Sequence, residues 1–434
     1  MMHDFYKTSR TLTVVGAQWG DEGKGKIVDY LSNNFDTIVR FQGGNNAGHT
    51  IYHNNEKVTL HFIPSGILNE NTTNILAQGM VIEPLALLEE IDKVSALGKS
   101  LSNLLISDKC HIIMPYHKAI DALHDEVQKI GTTQKGIGPA YTDKVARVGL
   151  RMADFLDEET FRAFLEDALP RVNQTLEAHG KTPFQHDKLI QSYKEAQHRL
   201  KPYVCSTGKA IIERINQEKT VLFESAQGTM LCIENGTYPY VTSSATVAAN
   251  AALGSGIPPK HIDSVLGVIK AYTTRVGEGY FPTMIHDESL AHHIRERGHE
   301  YGSTTGRARN VGWLDMIALK HAKEINGITA FVMNHVDVLS GLDTIKLCVS
   351  YTYQGKTIEA FPAAKAVLKN AKPQYIELPG FTLDKEKQIK TYDDLPNNAK
   401  QFVKHVERIL ACPIVYAAIG PAKDEILKKQ EDQV

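Results

Sequence analysis

The glycine-rich turn from Gly16 to Lys26 constrains the fold of this chain more than any other segment. It follows a short apolar run, Leu12 to Val15, and leads into a helical pattern that begins near Ile27. A strand, a glycine-rich turn and a helix start form a phosphate cradle, because backbone amides and the helix dipole both face a bound anion. The segment therefore predicts a phosphate- or nucleotide-binding loop.

This turn departs from an ordinary P-loop at one position. Gly20, Gly25 and Lys26 fit the first part of the pattern, but Ile27 stands where a Ser or Thr hydroxyl binds magnesium. A metal bound here needs another oxygen ligand, and Asp21 is the candidate within the loop. We therefore expect phosphoryl chemistry that differs from that of an ordinary nucleoside triphosphatase.

Short apolar runs that end at polar or glycine-rich turns recur along the chain, and helical stretches separate them. Such runs predict an α/β fold with a mostly parallel central sheet flanked by helices, a P-loop-like architecture with functional residues at the carboxyl ends of the strands. We interpret residues 1–434 as one domain, with a helical elaboration at about 154–214 and an exposed helix or frayed tail from 423. The predicted strands are Leu12 to Val15, Thr37 to Phe41, Thr220 to Glu224, Val265 to Ile269, Ala330 to Met333 and Pro413 to Ala417.

Composition excludes several classes of protein. A formal net charge of −2 argues against a general nucleic-acid or membrane surface. No apolar run reaches the roughly 18 residues of a membrane span, and the polar start of the chain lacks the apolar core of a signal peptide. Five dispersed cysteines without a Cys-x-x-Cys pair indicate reduced thiols. We therefore expect a cytoplasmic enzyme that binds neither nucleic acid nor membrane.

Polar turns after the predicted strands carry residue types that bind nucleotides. His49 follows one strand and has the chemistry to donate a proton near pH 7 to a phosphate oxygen. Residues 334–337, Asn-His-Val-Asp, are similar to the Asn-Lys-x-Asp box that reads guanine in GTP-binding proteins. Arg307 and Arg309 present guanidinium forks that match carboxylates and phosphates. The turns 131–139 and 236–244 are further glycine- or hydroxyl-rich candidates, the second for a phosphomonoester.

Taken together, these segments resemble the adenylosuccinate synthetase family. The matching segments keep the family's order from about residue 12 to 421, and several motifs in order are more specific than any one of them. They are Gln18 to Lys26, Asn46 to Thr50, His61 to Gly66, Gly136 to Tyr141, Gly236 to Ser244 and Thr304 to Arg307.

The resemblance implies a two-step ligation. GTP phosphorylates O6 of IMP, and the amine of L-aspartate then displaces that phosphate, which gives adenylosuccinate, GDP and phosphate. By the same resemblance, Asp21 takes the proton from N1 of hypoxanthine and binds Mg²⁺, with the Gly48 carbonyl as a second metal ligand. His49 acts as a general acid toward the β–γ bridge of GTP. Lys24 and the loop amides stabilise the transferring phosphoryl group, and Gln227 holds the 6-oxyanion.

The resemblance also implies a binding role for each of the remaining positions. Arg147 would reach the neighbouring active site across a homodimer interface, and Arg309 would lie near both aspartate and GTP. The IMP set is Asn46, Ala47, Thr133, Arg147, Gln227 and Thr242, and the aspartate set is Ser303, Thr304, Thr305, Gly306 and Arg307. The GTP set is Gly20, Asp21, Glu22, Gly23, Lys24, Gly25, Lys26, Gly48, His49, Thr50, Arg309, His335, Val336, Asp337, Ala418, Ile419 and Gly420.

The chain departs from the family pattern mainly around the nucleotide base. The family usually has lysine where His335 stands and Ser-Thr where Ala418 and Ile419 stand, so base affinity is expected to be weaker. Gln134 and Lys135 replace Gly-Arg, which turns a guanidinium fork into a point charge. Ser225 and Ala245 replace a glycine and an asparagine. These positions indicate a divergent member of the same reaction class.

Two alternatives stay open at this point. One is a related ligase with altered nucleotide specificity, such as the phage-type homologues that act on dGMP. Those homologues lack the loop aspartate, and Asp21 counts against that alternative. The other is a nucleotide-binding regulatory protein without turnover. The intact pair Asp21 and His49 counts against this second alternative.

Overall fold

A computed structural model describes residues 9–53, 56–128, 131–302, 306–384 and 389–429. In these residues the helices are α1 Lys24–Leu31, α2 Pro84–Ala96, α3 Pro115–Gln128, α4 Ile137–Ala146, α5 Met152–Phe155, α6 Glu158–Ala178, α7 His186–Leu200, α8 Thr207–Asn216, α9 Ala249–Ser255, α10 Glu288–Gly298, α11 Met316–Asn326, α12 Lys365–Asn370 and α13 Asn397–Leu410. None of them is long and apolar enough to cross a membrane.

The strands of the same residues are numbered in chain order. They are β1 Thr11–Gly16, β2 Thr37–Arg40, β3 His49–His53, β4 Glu56–Leu60, β5 Thr73–Leu76, β6 Val81–Ile82, β7 Leu104–Ser107, β8 His111–Ile112, β9 Val204–Cys205, β10 Val221–Glu224, β11 Ser264–Lys270, β12 Thr273–Arg275, β13 Asn310–Gly312, β14 Leu314–Asp315, β15 Ala330–Asn334, β16 Thr344–Tyr353, β17 Lys356–Ile358, β18 Lys372–Pro379, β19 Ile414–Ala418 and β20 Ile426–Lys428.

Ten strands form the central sheet, in the order β20-β19-β15-β11-β1-β10-β2-β5-β7-β9. Every neighbouring pair is parallel except β19 and β20. The predicted α/β fold with a mostly parallel sheet is therefore confirmed. Because the loops after β1, β2, β10, β11, β15 and β19 leave the same edge of the sheet, their polar residues gather there.

Both faces of the sheet are buried, which explains the near-continuous apolar strands. Leu12 and Val14 of β1 pack in one cluster with Ile27 and Val28 of α1. Val15, the next residue of β1, belongs instead to the large cluster that includes apolar residues of α11 and α13. Successive side chains of a strand point to opposite faces, so a strand covered on both faces needs apolar residues at nearly every position.

The helix-rich region at 154–214 consists mainly of α6, α7 and α8, with the short strand β9 completing the edge of the sheet beside β7. Phe155, Phe161 and Tyr193 meet edge to face in its interior. These rings share one apolar cluster with residues of β5 and β7. The region thus packs on the sheet through a common core. The division of the chain into domains stays a prediction.

The segment after Gly420 differs from the expected exposed helix or frayed tail. A single helical turn at Lys423–Glu425 leads into β20, which pairs antiparallel with β19. Ile426 and Leu427 are buried, so two apolar residues suffice to dock this short strand. Residues 430–434 lie outside the described part of the chain.

Candidate active site

The glycine-rich loop follows β1 and ends at Gly23, which has φ +84° and caps α1. Glu22 is fully buried inside the loop, and its Oε1 accepts hydrogen bonds from the amides of Gln18 (3.0 Å) and Gly20 (2.9 Å). Its Oε2 lies 2.7 Å from the Lys24 ammonium. The loop is therefore braced from within by its own ion pair, and any contact of Glu22 with a nucleotide would come from its backbone.

Asp21 occupies the exposed side of the same loop with φ +57°. Its Oδ2 lies 2.9 Å from Nε of Arg309, whose Nη1 donates a 2.6 Å hydrogen bond to Glu300. Glu300 also accepts from the Lys270 ammonium at 2.7 Å and from the Tyr272 hydroxyl at 2.5 Å. The loop carboxylate and the arginine predicted to bind aspartate and GTP are thus in direct contact.

His49 begins β3 and packs against the glycine-rich loop, since a Cβ added to Gly25 would lie 2.6 Å from the His49 Cβ. Its Nε2 lies 2.9 Å from Arg40 Nη1 and 3.2 Å from the Ile63 carbonyl. Its Nδ1 lies 3.7 Å from Oε1 of Glu224. Burial and the Arg40 guanidinium lower the pKa of His49 well below its usual value, so the ring is neutral at pH 7.

Gln227 follows β10 with φ +57° and presents an unused amide. Both its Oε1 and Nε2 are buried without a hydrogen-bond partner in the described part of the chain. The side chain lies beside Gly43, and its backbone lies beside Gly20 of the loop. A buried amide of this kind costs roughly 1–3 kcal/mol if it stays unpaired, which makes it a candidate ligand contact.

The turn after β15 lies against the glycine-rich loop. Asn334 Nδ2 donates to the Glu22 carbonyl at 2.6 Å, and Gly23 leaves room for this amide. Oδ1 of Asp337 is buried and has no partner among the residues described. Burial raises the pKa of Asp337, which the Lys26 ammonium opposes. The turn therefore offers an unused carboxylate oxygen close to the phosphate loop.

His335 and the end of β19 complete this region. His335 has φ +61°, and its ring lies edge-on to Tyr272 with centroids 6.1 Å apart. Burial and the Lys270 ammonium lower the pKa of His335 to about 3, so the ring is neutral. The Val336 amide donates to the Ala418 carbonyl at 3.1 Å, and the Lys26 ammonium donates to the Gly420 carbonyl at 2.8 Å.

The residues predicted to bind IMP lie in the turns after β2 and β10 and at the two ends of α4. Asn46 Nδ2 approaches the Thr242 hydroxyl at 3.5 Å, while Ala47 is buried and accepts from His61 at 2.7 Å through its carbonyl. Thr133 is exposed on the turn before α4. Arg147 is exposed and caps the carboxyl end of α4 with φ +65°. The structure brings Asn46 and Thr242 together, and Arg147 faces solvent in the single chain.

The structure describes the loop predicted to bind aspartate only on either side of residues 303–305. Ser303, Thr304 and Thr305 lie outside the described residues, as does the side chain of Thr50. Gly306 and Arg307 are exposed, and a Cβ at Gly131 would lie 3.6 Å from Nη1 of Arg307. The loop therefore reaches the turn that carries Thr133.

Arg40 and Glu300 are among the buried charged residues at the site that the sequence interpretation missed. Arg40 ends β2, is fully buried and leaves Nε and Nη2 unpaired among the described residues. An arginine that ends an apolar strand is unusual, and this signal was available in the sequence. Glu300 follows the charged helix α10, where nothing in the local pattern separates it from the exposed carboxylates nearby.

Fold and site together define an α/β enzyme that binds nucleotides around a phosphate loop at the carboxyl edge of a parallel sheet. Residues 13–427 match the family profile described as adenylosuccinate synthetase. The chain therefore belongs to the adenylosuccinate synthetase family, whose members are GTP-dependent ligases, and the resemblance drawn from its motifs is confirmed.

Individual relatives cover nearly all of the chain. The adenylosuccinate synthetases of Geobacillus kaustophilus and Streptococcus sanguinis are each 46% identical over 419 residues, 96% of this chain and 97% of theirs. The fully ligated enzyme of Plasmodium falciparum has a TM-score of 0.91 at 36% identity and covers 97% of this chain and 100% of its own. The succinoaminodeoxyadenylate synthetase of cyanophage S-2L, with 97% and 95% coverage, shares the fold at a TM-score of 0.62 and 17% identity.

Proposed function

We propose that this chain ligates IMP and L-aspartate to adenylosuccinate through a 6-phosphoryl intermediate, at the expense of GTP. The observation that carries the proposal is that three unsatisfied or exposed groups lie on turns that leave the same edge of the sheet. They are the Asp21 carboxylate on the phosphate loop, the unpaired Gln227 amide and the unpaired Asp337 oxygen. The first two groups suit a purine that reacts at N1 and O6, and the third suits the N–H donors of a guanine base.

Asp21 and Gln227 are proposed to activate the purine. Asp21 takes the proton from N1, which makes O6 nucleophilic toward the γ-phosphorus of GTP. The Gln227 amide donates to the oxygen that carries the developing charge. Support comes from the loop, since Gly20 joins Asp21 directly and lies against the backbone of Gln227.

His49 and Lys24 are proposed to act on the phosphates. His49 is neutral in its pocket, so its ring N–H would stabilise the leaving β–γ bridge oxygen of GTP through a hydrogen bond, and not by transfer of the proton of an imidazolium. The Lys24 ammonium, now paired with Glu22, supplies positive charge at the loop. Because Glu22 already occupies the amides of Gln18 and Gly20, the phosphates would use the remaining loop amides near the start of α1.

Mg²⁺ is proposed to bind at Asp21 and the Gly48 carbonyl. Both ligands are oxygens, the donor type that Mg²⁺ prefers, and the remaining positions suit phosphate oxygens and water. In the described part of the chain no group of three or more His, Cys, Asp or Glu side chains is placed to hold a metal. A bound Mg²⁺ would neutralise charge on the transferring phosphoryl group.

The other residues are proposed to select the three substrates. Asp337 reads guanine, and the turns of Asn334 to Asp337 and Ala418 to Gly420 surround the base. Arg307 and Arg309 hold the carboxylates of L-aspartate, whereas Asn46 and Thr242 hold IMP. The turns after β2, β15 and β19 leave the same edge of the sheet, which is the place where α/β folds bind ligands.

The active form is proposed to be a homodimer in the cytoplasm. Arg147 ends α4 with its side chain in solvent, and Val145 on the same helix is 79% exposed. An exposed apolar residue beside an arginine predicted to bind IMP is explained if α4 meets a second copy of the chain. Arg147 would then complete the neighbouring site. All five cysteines are free, as a reducing compartment requires.

The experiment that tests the function is an assay of adenylosuccinate formation with IMP, L-aspartate, GTP and MgCl₂, and with each component omitted in turn. Product should form only with all four present. Formation from dGMP in place of IMP would favour the ligase with altered specificity. Nucleotide binding in a thermal-shift assay without turnover would favour the regulatory protein.

A further inference from the structure

We propose that Glu300 is a positioning residue that orients the Arg309 guanidinium for L-aspartate. This inference rests on the proposed function, because it takes Arg309 as part of the aspartate site. Glu300 has no exposed surface, and it contacts Nη1 of Arg309 while Asp21 lies beside Nε. It therefore acts through the arginine and not on the substrate itself.

Glu300 is the better aligned of the two carboxylates beside Arg309. Its Oε2 accepts a hydrogen bond from Nη1 at 2.6 Å. Asp21 lies 2.9 Å from Nε, but that N–H makes no hydrogen bond, so the contact is electrostatic only. Because a charge-assisted hydrogen bond depends on direction and a charge contact depends mainly on distance, Glu300 determines the orientation of the guanidinium.

The backbone fixes the same pair. The Arg309 amide donates to the Glu300 carbonyl at 2.9 Å, and Tyr301 bridges to Ala308. The Gly302 amide donates to the Arg307 carbonyl at 2.8 Å. Glu300 and Arg309 thus close the base of the loop that carries both arginines, once through the main chain and once through their side chains.

The other partners of Glu300 hold the carboxylate in place. Lys270 and Tyr272, both from the end of β11 and the turn after it, donate to Oε1 and leave Oε2 for Arg309. Burial alone would raise the pKa of Glu300, but the Lys270 ammonium and Arg309 outweigh it and lower the pKa to about 2. The carboxylate is therefore ionised, and its charge balances the buried lysine.

Removal of this carboxylate has a specific consequence. With glutamine at position 300, Arg309 keeps its charge contact with Asp21 but loses the directed hydrogen bond that orients its guanidinium. The aspartate site then loses an oriented donor, whereas the groups proposed to hold IMP and guanine are unchanged. The Michaelis constant for L-aspartate should therefore rise while those for IMP and GTP stay nearly constant.

The test is steady-state kinetics of the full chain with the Glu300→Gln variant, varying one substrate at a time. KM for L-aspartate should rise about tenfold, which corresponds to about 1.4 kcal/mol, and the KM values for IMP and GTP should stay within about twofold. Glu288→Gln is the matched control, because Glu288 is an exposed carboxylate in the first turn of α10. It should leave all three constants unchanged.

A double variant, Glu300→Gln with Lys270→Met, covers the case in which an unpaired buried lysine prevents folding. It removes both buried charges together and should show the same selective rise for L-aspartate. Unchanged aspartate KM in a folded variant, or an equal rise for all three substrates, would overturn the inference. Absence of turnover in the unmodified chain would instead count against the proposed function.

Discussion

Replacement of Asp337 by asparagine should move the nucleotide preference from GTP toward XTP. The Asp337 Oδ1 atom is buried without a partner in the described residues, so it is available to accept from a base. Guanine offers two donors, N1–H and the 2-amino group, which match a carboxylate. Asparagine exchanges one acceptor for a donor, and xanthine has an oxygen at position 2 that accepts from it.

The size of the effect follows from one mismatched buried contact. A buried donor or acceptor left without a partner costs about 1–3 kcal/mol. At 1.4 kcal/mol per factor of ten, GTP use should fall by about 5- to 150-fold. His335 is neutral and keeps its place beside Tyr272, so the change at Asp337 should not alter the charge of the neighbouring ring.

The assay is kcat/KM for GTP, XTP and ATP with the unmodified chain and with Asp337→Asn. The unmodified chain should prefer GTP to ATP, and the variant should prefer XTP to GTP. Asp343→Asn, at an exposed aspartate six residues further on, is the control and should keep the original preference. If the variant retains its preference for GTP, or the unmodified chain uses ATP equally well, Asp337 does not read the base.

Four further outcomes are expected. Gly228→Ala should lower turnover at least about tenfold, because the added Cβ would lie 2.5 Å from both Glu22 Oε1 and the Gly20 amide nitrogen. A near-normal kcat would refute this packing argument. Asp21→Ala should abolish phosphoryl transfer, since general acid–base catalysis alone contributes roughly 10²–10⁴-fold; GDP formation at the normal rate would contradict the role. Arg147→Leu should weaken IMP binding but not GTP binding, and mixing it with Asp21→Ala should restore some activity through hybrid dimers; no rescue would argue against a shared site. Burial and the Lys144 ammonium lower the pKa of His111 to about 4. Between pH 6.5 and pH 4 the unfolded chain therefore binds a proton at this position that the folded chain does not bind, so stability should fall as the pH falls through this window. The melting temperature of His111→Gln should fall less over the same window.

The sheet and most of its polar turns were predictable, because their signals are local. Strands β1, β2, β10, β11, β15 and β19 each contain a short apolar run and lead into a polar or glycine-rich turn. Parallel strands place the following turns at one edge, so the sequence alone predicts that Asp21, His49 and Asp337 lie in one region.

The contacts that hold the site residues in place were not predictable in the same way, because they join segments that are distant in the sequence. Glu22 folds into its loop since Gly16 and Gly228, 212 positions apart, both lack a Cβ that would collide with its carboxylate. Glu300 acquires its partners only when β11 is paired in the sheet. Strand β20 was missed because it has three residues and docks through two apolar side chains.

The most direct test of the proposed chemistry follows one oxygen atom. IMP labelled with ¹⁸O at position 6 is converted with GTP, L-aspartate and MgCl₂, and the inorganic phosphate is analysed by mass spectrometry. Attack of O6 on the γ-phosphorus, followed by displacement at C6, leaves the label in phosphate. One ¹⁸O atom per phosphate, formed together with one adenylosuccinate, is the expected result. Unlabelled phosphate, or release of the label into water, would contradict a 6-phosphoryl intermediate at this site.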